Sequence, residues 1–154
     1  MSRMEIQFTP VAVVRNSRKE AFDDDWESVE SEIELAGHLP AESLDGISGF
    51  SHLEIVYFFD RIKNEDVVMS GRPRDNPKYP LVGIFAQRKK DRPNKIGLAT
   101  VELLEHRGRT LVVRMLDAID GTPVLDIKPV FKEYEPRKAI LQPEWVGDLM
   151  KNYW

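Results

Sequence analysis

The sequence predicts a mostly β protein: a small antiparallel β-barrel with one short internal helix and a C-terminal helix. At least six segments alternate or are rich in β-branched residues, short polar turns separate them, and helical periodicity is nearly absent before the C-terminus. A β-sandwich is the alternative, whereas a doubly wound sheet lacks its alternating helices. The 154 residues fit a single domain, with the barrel over about 5–136 and the helix over about 143–153.

The first half of the chain supplies three strands and the internal helix. Phe8–Arg15 is valine-rich, with Pro10 near its start, and Val29–Leu35 alternates apolar residues with glutamates, as a half-exposed strand does. One short helix is predicted over Leu39–Ile47. Phe50–Phe59 is the most apolar run and predicts a central strand.

The second half predicts a hairpin and one more strand after a long connection. Asn64–Pro80 has no clear period and is a candidate substrate loop. Leu98–His106 and Thr110–Met115 predict a hairpin with its turn at Arg107-Gly108, and Pro123–Ile127 follows another turn. Pro143 is expected to open the C-terminal helix, whose apolar stripe comprises Trp145, Val146, Leu149, Met150 and Trp154.

Composition limits the possible chemistry. Hydrophobic residues make up 42% and charged residues 31%, which is typical of a globular protein, and no apolar run approaches the roughly 18 residues of a spanning helix. The absence of cysteine excludes disulfides, thiolate catalysis and cysteine zinc sites, so a cytoplasmic location is expected. His38, His52 and His106 lack metal-ligand spacing, and no metal is expected. Glycine-rich nucleotide loops and the G-x-S-x-G elbow are also missing.

The stretch Gly83–Ala99, GIFAQRKKDRPNKIGLA, is the strongest candidate for a binding site. Two short apolar runs flank Lys89–Lys95, which holds four cations, one acid, Pro93 and Asn94. A rigid cationic loop between buried anchors suits anion binding, and a basic solvated loop is the alternative.

Charge is distributed unevenly along the chain, whose net charge is -4. Ten acids and no Lys or Arg lie between Glu20 and Asp45, whereas Arg61–Lys95 has ten bases and four acids. A positive face can attract phosphate even on an acidic protein, unless the two regions pair with each other.

Two aspartates stand out among apolar neighbours. Asp117 and Asp126 must find hydrogen-bond donors if they are buried, because an isolated buried carboxylate is costly. The alternatives are an ion pair of Asp126 with Lys128 or an arginine and turn capping by Asp120.

Three blocks resemble the TsaA-like family, which contains the TrmO-type tRNA N6-methyltransferases. The blocks are Gly49–Leu53, Gly83–Leu98 and Leu116–Pro129, in the order and spacing of that family, and the resemblance covers roughly residues 7–136. The chain departs from the family at Gln87–Lys90, Asn94-Lys95 and Val130, and the family's Pro-Arg-Gln loop is not recognisable near Phe22–Glu27.

The resemblance implies a dimeric barrel that binds S-adenosylmethionine near the dimer interface. It implies methyl transfer to N6 of threonylcarbamoyladenosine, next to the tRNA anticodon. By position, the expected cofactor-binding residues are Asp60, Arg61, Arg88, Leu98, Leu116, Asp117, Ala118 and Ile119.

Roles for the remaining candidates follow from their chemistry. Arg88, Arg92 and Lys95 are expected to anchor phosphate or carboxylate groups of the substrate. Asn94 is expected to orient the base edge, and Asp126 is preferred to Asp117 as the proton acceptor, so that Asp126, Asn94 and Arg92 are the candidate catalytic residues. The alternatives are a non-catalytic S-adenosylmethionine- or RNA-binding module, a methyltransferase with another acceptor, and a structural dimerisation barrel.

Overall fold

The computed structural model describes residues 2–154 and confirms the predicted barrel. Six strands close into one antiparallel barrel in the order β1-β2-β7-β6-β3-β8, and β4 and β5 form a separate two-stranded sheet. Within residues 2–154 no helix is both long and apolar enough to cross a membrane. The elements are β1 Ala12–Arg15, β2 Glu30–Leu35, β3 His52–Phe58, β4 Ser70–Gly71, β5 Val82–Gly83, β6 Ile96–Arg107, β7 Thr110–Arg114, β8 Pro123–Pro129 and α1 Glu144–Met150.

The barrel interior is a single apolar core. Alternate residues of each strand point inward, because successive side chains of a strand face opposite sides. On β3 these are Leu53, Ile55 and Tyr57, all nearly or fully buried. On β6 they are Gly97, Ala99 and Val101, while the residues between them face outward.

Two predicted elements of the first half are wrong in detail. The first strand begins at Ala12 instead of Phe8, and residues 2–10 are exposed. Pro10 contributes to this, because it has no N–H to donate to a neighbouring strand. The single helix predicted over residues 39–47 is instead two 3-10 turns, since Gly46 separates them with a φ of 84°.

The hairpin and the C-terminal helix are also corrected. The hairpin turn is Gly108-Arg109, not Arg107-Gly108, with Gly108 at a φ of 57°. The helix ends at Met150, and Trp154 lies beyond it.

The long connection 64–80 is tied to the rest of the chain at several points. β4 pairs with β5, and the Gln87 side-chain amide donates to the carbonyls of Gly71 and Val82 at 2.9 and 3.1 Å. Farther along, the Tyr79 hydroxyl donates to Asp148 of α1 at 2.7 Å. This connection therefore positions both the basic loop, residues 87–95, and the C-terminal helix.

Candidate functional site

Arg88 and Leu98 meet where the basic loop joins β6. The guanidinium of Arg88 donates from Nη2 to the Leu98 carbonyl oxygen at 2.6 Å. The Leu98 side chain lies on the outer face of β6, between inward-facing Gly97 and Ala99, and the residue is 45% exposed. The structure thus brings two of the predicted cofactor-binding residues into contact.

Asp117 is held by two tyrosines that the sequence did not single out. The Tyr57 hydroxyl donates to Oδ1 of Asp117 at 2.8 Å, and the Tyr153 hydroxyl donates to Oδ2. Tyr57 comes from β3 and Tyr153 from the last residues of the chain. The aspartate has therefore found the hydrogen-bond donors that its apolar sequence neighbours required.

Burial and charge keep both tyrosines neutral. Burial, followed by the negative charge of Asp117, raises the pKa of Tyr57 and of Tyr153 well above the ordinary value of 10.0. The positive charge of Arg88 opposes this rise in the pKa of both hydroxyls, so Arg88 belongs to the same electrostatic cluster. At neutral pH both hydroxyls therefore act as donors. Together Tyr57, Arg88, Asp117 and Tyr153 form the Asp117 cluster.

The other residues of the Leu116–Ile119 segment line the barrel end. Leu116 and Ala118 are buried. The carbonyl of Ala118 accepts a hydrogen bond from the Asn16 side chain at 2.8 Å, and that of Ile119 accepts one from the Thr122 hydroxyl at 2.7 Å. The backbone oxygens of Ala118 and Ile119 are therefore already hydrogen-bonded, and these bonds fix the segment that carries Asp117.

Asp60 and Arg61 lie just beyond the end of β3 and are exposed. Arg61 donates from Nη1 to the carbonyl of Lys19 at 3.0 Å. This contact ties the end of β3 to the acidic N-terminal loop rather than to the Asp117 cluster.

Arg92 and Lys95 of the basic loop are both held by hydrogen bonds, Arg92 to the loop's own backbone and Lys95 to the segment after β3. Arg92 donates from Nη1 to the carbonyls of Gln87 and Lys89 at 2.7 and 3.2 Å, and its guanidinium lies 5.9 Å from the ring centre of Phe85. Lys95 donates to the carbonyl of Ile62 at 3.1 Å and to the side chain of Asn64 at 2.9 Å. Both cations therefore stiffen the loop, and neither forms an ion pair within residues 2–154.

Asn94 sits at the tip of this loop. It is exposed and adopts a φ of 64°, in the left-handed region that asparagine tolerates. Lys95 follows at a φ of 51°. The expected turn at Pro93-Asn94 is present.

Asp126 lies on the outer face of β8 and, among residues 2–154, forms no hydrogen bond or ion pair with the Asp117 cluster. It pairs with Lys128 at 2.9 Å and accepts the backbone N–H of Ile127 at 2.9 Å. Val56 of β3 stands opposite both Asp126 on β8 and Leu98 on β6. Leu98, Val56 and Asp126 therefore form one row across three strands.

A cavity of about 500 Å³ opens in the acidic loop after β1, which carried no predicted site residue. Arg18, Phe22 and Asp23–Asp25 line it. The Arg18 guanidinium lies 5.2 Å from the Phe22 ring centre and 4.3 Å from that of Trp26, and its Nε finds no hydrogen-bond partner in residues 2–154. Within residues 2–154, no group of three or more His, Asp or Glu residues could hold a metal ion.

Several side chains around this cavity complement groups of S-adenosylmethionine, whereas the Arg18 guanidinium that also lines it is itself a cation. The cofactor carries a sulfonium and an ammonium group, which acidic side chains complement, and an adenine, which stacks on an aromatic ring. The loop offers carboxylates at Asp23 and Asp25 and an exposed ring at Phe22, whereas Asp24 already pairs with Arg74 at 2.7 Å. Tyr153 connects this loop to Asp117, since its carbonyl accepts the Trp26 amide at 2.9 Å.

Comparison with known proteins assigns the chain to a family. The model of the tRNA-methyltransferase O (TrmO) N-terminal domain matches residues 22–135. This chain belongs to the TrmO N-terminal domain family. The resemblance seen in the three sequence blocks is thereby confirmed.

The chain is similar to family relatives of different lengths. It is 40% identical over 138 residues to a "probable S-adenosyl-L-methionine-binding protein" of Methanothermobacter thermautotrophicus, covering 88% of this chain and 97% of that protein. It is 35% identical over 133 residues to the "tRNA (adenine(37)-N6)-methyltransferase" of Escherichia coli, covering 80% of this chain and 57% of that protein.

A solved structure shares the fold. The crystal structure of TrmO from P. aeruginosa superposes with a TM-score of 0.75 at 24% identity, covering 94% of this chain and 63% of that one. At this identity the likeness concerns the barrel fold alone. The chain thus spans less than two thirds of the bacterial proteins that it resembles.

Some signals for the missed residues were present in the sequence. A tyrosine on an inward-facing strand position, such as Tyr57, needs a hydrogen-bond partner and so points toward a polar group. The three consecutive aspartates after Phe22 also marked the loop that lines the cavity, residues 18–26, which is called the cavity loop. Tyr153 left no signal, because its contact with Asp117 joins parts of the chain that are far apart in sequence.

Proposed function

We propose that this chain is an S-adenosylmethionine-dependent methyltransferase that acts on N6 of a tRNA adenosine. Its acceptor is threonylcarbamoyladenosine next to the anticodon. Membership of the TrmO N-terminal domain family carries the proposal, supported by the clustering of Arg88 and Leu98 from one sequence block with Asp117 from another.

The proposed cofactor site extends from the acidic cavity to the Asp117 cluster. Asp23 and Asp25 complement the cationic groups, and Asp117 accepts hydrogen bonds from the bound molecule. Arg88 fixes the rim through the Leu98 carbonyl. The remaining proposed cofactor-binding residues are Asp60, Arg61, Leu116, Ala118 and Ile119.

When bound, S-adenosylmethionine supplies a methyl group that its sulfonium already activates. The chain's own residues then have to orient the acceptor nitrogen and accept one proton. We assign the proton to Asp126, which lies in the row of Leu98, Val56 and Asp126 on the outer face. Neighbouring strands are about 4.8 Å apart, so Leu98 and Asp126 are about 10 Å apart, and a purine that reaches both would lie over Val56 between them.

The basic loop is assigned to the RNA. Arg88, Arg92 and Lys95 bring positive charge to the rim, and Asn94 presents an amide at the exposed loop tip. Because Arg92 already binds carbonyls of the loop and Lys95 binds the carbonyl of Ile62 after β3, their contribution to RNA binding combines charge with a fixed loop shape.

Dimerisation and location are part of the same proposal. Met4, Ile6 and Phe8 alternate along the exposed N-terminal segment, and Phe85 is 75% exposed, so apolar surface is available for a second copy of the single domain 1–154. A cytoplasmic location follows from a tRNA substrate. Sedimentation velocity measures the oligomeric state, and a species of 17.8 kDa at micromolar concentration would exclude the dimer.

A second candidate function is a cofactor-binding module without catalysis. The M. thermautotrophicus relative, matched over 97% of its length, is named only as a probable S-adenosyl-L-methionine-binding protein. Calorimetry with S-adenosylmethionine does not separate this candidate from the enzyme, because both bind the cofactor.

Mass spectrometry of tRNA nucleosides separates the two. The protein is incubated with S-adenosylmethionine and tRNA that contains threonylcarbamoyladenosine, and a gain of one methyl group on that nucleoside is expected. Matched tRNA without the threonylcarbamoyl group should remain unmethylated. Cofactor binding without any methylated nucleoside would support the module instead.

A further inference from the structure

The last three residues of the chain, Asn152–Trp154, form a tail that is attached to the cavity loop. The Asp25 amide donates to the carbonyl of Asn152 at 3.1 Å, and the Trp26 amide donates to the carbonyl of Tyr153 at 2.9 Å. The Tyr153 ring also packs edge-on against Trp154, with ring centres 4.9 Å apart. These contacts give the tail one defined position.

From this position the tail occupies one side of Asp117. The Tyr153 hydroxyl donates to Oδ2, while Tyr57 donates to Oδ1 at 2.8 Å, so each carboxylate oxygen already has a donor. The ribose hydroxyls and ammonium group of S-adenosylmethionine are donors of the same kind. A carboxylate oxygen can accept more than one hydrogen bond, so a cofactor competes with Tyr153 when it approaches Oδ2 from the side where the Tyr153 hydroxyl lies.

Tyr153 also separates the two halves of the proposed cofactor site. It contacts Trp26 at the base of the cavity loop and Asp117 at the barrel end, and Asp117 is not among the residues that line the cavity. Tyr153 therefore lies between the cavity loop and Asp117.

The tail can leave without disturbing the barrel. The last barrel strand, β8, ends at Pro129, and residues 135–143 are exposed. The seven-residue helix α1 is attached through Asp148, which accepts from Tyr79 at 2.7 Å and pairs with Lys78 at 3.0 Å. Release of the tail thus requires only the loss of its own few contacts.

We propose that Asn152–Trp154 is an intramolecular gate that covers Asp117 in the free protein and that S-adenosylmethionine displaces on binding. This inference rests on the proposed function, because it assumes that the cofactor uses Asp117. It adds that the tail and the cofactor are mutually exclusive at that carboxylate.

The gate lowers the apparent affinity of the free protein for its cofactor. The measured Kd is the intrinsic Kd divided by the fraction of molecules with the tail released. A hydrogen bond to a charged group corresponds to about a tenfold or larger change in an equilibrium. Loss of the Tyr153 hydroxyl should therefore tighten the apparent Kd by about tenfold if the closed form predominates.

Isothermal titration with S-adenosylmethionine tests the gate. Tyr153→Phe keeps the ring and removes only the hydroxyl, and a chain that ends at Lys151 removes the whole tail. Tyr134→Phe is the matched control, since it removes an exposed hydroxyl outside the site. We expect the first two chains to bind about tenfold or more tightly than the unaltered protein, and the control to bind equally. Thermal unfolding followed by circular dichroism verifies that each chain is folded.

Hydrogen exchange supplies a second readout that does not depend on any variant. The amides of Asp25 and Trp26 lose their tail acceptors when the gate opens, so saturating S-adenosylmethionine should speed their exchange. Unchanged or slower exchange, or equal or weaker binding by Tyr153→Phe, would overturn the gate while leaving cofactor binding intact. Failure of every chain to bind would overturn the proposed cofactor and the gate together.

Discussion

The ring of Tyr57 lies so close to Gly97 on the neighbouring strand that no side chain fits between them. The two residues are directly paired across β3 and β6, and a Cβ at position 97 would lie 2.5 Å from the Tyr57 Cζ. Glycine at this position lets the tyrosine extend across the barrel end, where its hydroxyl reaches Asp117. Gly97 is therefore important because it leaves room for the Tyr57 ring.

We predict that Gly97→Ala destabilises the protein by about 1–3 kcal/mol. The buried Tyr57 ring must move away from the added methyl group, and its hydroxyl then leaves Asp117. Urea unfolding measures the loss of stability. Gly83→Ala is the control, because nothing lies within 4 Å of the added Cβ. Equal stability of the two variants would show that the Tyr57 ring is not confined.

A second prediction concerns the stability of the barrel at high pH. The pKa of Tyr57 and that of Tyr153 are raised above 10.0 in the folded state, so each folded hydroxyl keeps its proton when the unfolded one has lost it. Their contribution to stability is therefore complete below pH 10 and is lost as the pH rises beyond it. We expect the free energy of unfolding to fall above pH 10 by up to about 1.4 kcal/mol per pH unit for each tyrosine.

Urea unfolding from pH 9 to pH 11 measures this fall. Tyr57→Phe should show a shallower decline than the unaltered protein, because one of the two linked protons is gone. Tyr134→Phe removes an exposed phenol and should retain the full slope. Identical slopes in all three proteins would contradict a neutral, hydrogen-bonded Tyr57.

The sequence predicted the strands well because their signal is local. The alternation in 29–35 and the apolar run 50–59 appear directly as β2 and β3, since each strand exposes one face and buries the other. The errors fall where distant partners decide the outcome. Residues 8–11 have strand composition, yet the pairing of β1 with β2 begins only at Ala12.

The site was predicted only in part, for the same reason. The basic loop was located correctly, but the preference of Arg92 for the Gln87 carbonyl depends on how the loop folds. Asp117 was expected to need donors, whereas the identity of Tyr153 as one of them is set by where the tail comes to lie. Side-chain partners that are distant in sequence leave no periodic pattern.

A third prediction concerns the attachment of α1. The Tyr79 hydroxyl and the Lys78 ammonium lower the pKa of Asp148, so the carboxylate stays ionised at neutral pH and the attachment weakens as the pH falls below the ordinary value of 3.8. Asp148→Asn should speed the hydrogen exchange of helix amides about tenfold while leaving those of β3 unchanged. Lys151→Gln is the control, because Lys151 contacts Asp148 only at 3.4 Å. Equal acceleration throughout the barrel would show that the helix is part of the global fold.

The fourth prediction tests Asp126 as the proton acceptor. Asp126→Asn keeps an oxygen that can accept the Ile127 amide but removes the base, so kcat should fall by about 10²–10⁴-fold with little change in cofactor Kd. Lys128→Met breaks the same ion pair and leaves the carboxylate, so its rate should stay within a few fold. If Asp117→Asn instead abolishes turnover while Asp126→Asn does not, the proton goes to Asp117.

The last prediction separates the shape of the basic loop from its charge. Arg92 donates to two carbonyls of its own loop and lies over Phe85, contacts that a lysine cannot reproduce. If the loop shape matters, Arg92→Lys should weaken tRNA binding nearly as much as Arg92→Ala, by about 1 kcal/mol, although only the alanine variant reduces the salt dependence of binding. Lys90 is exposed, so Lys90→Ala should lower the salt dependence of tRNA binding by removing a charge without changing the loop shape. Filter binding at several salt concentrations measures both quantities, and full affinity in Arg92→Lys would leave charge as the sole role of this arginine.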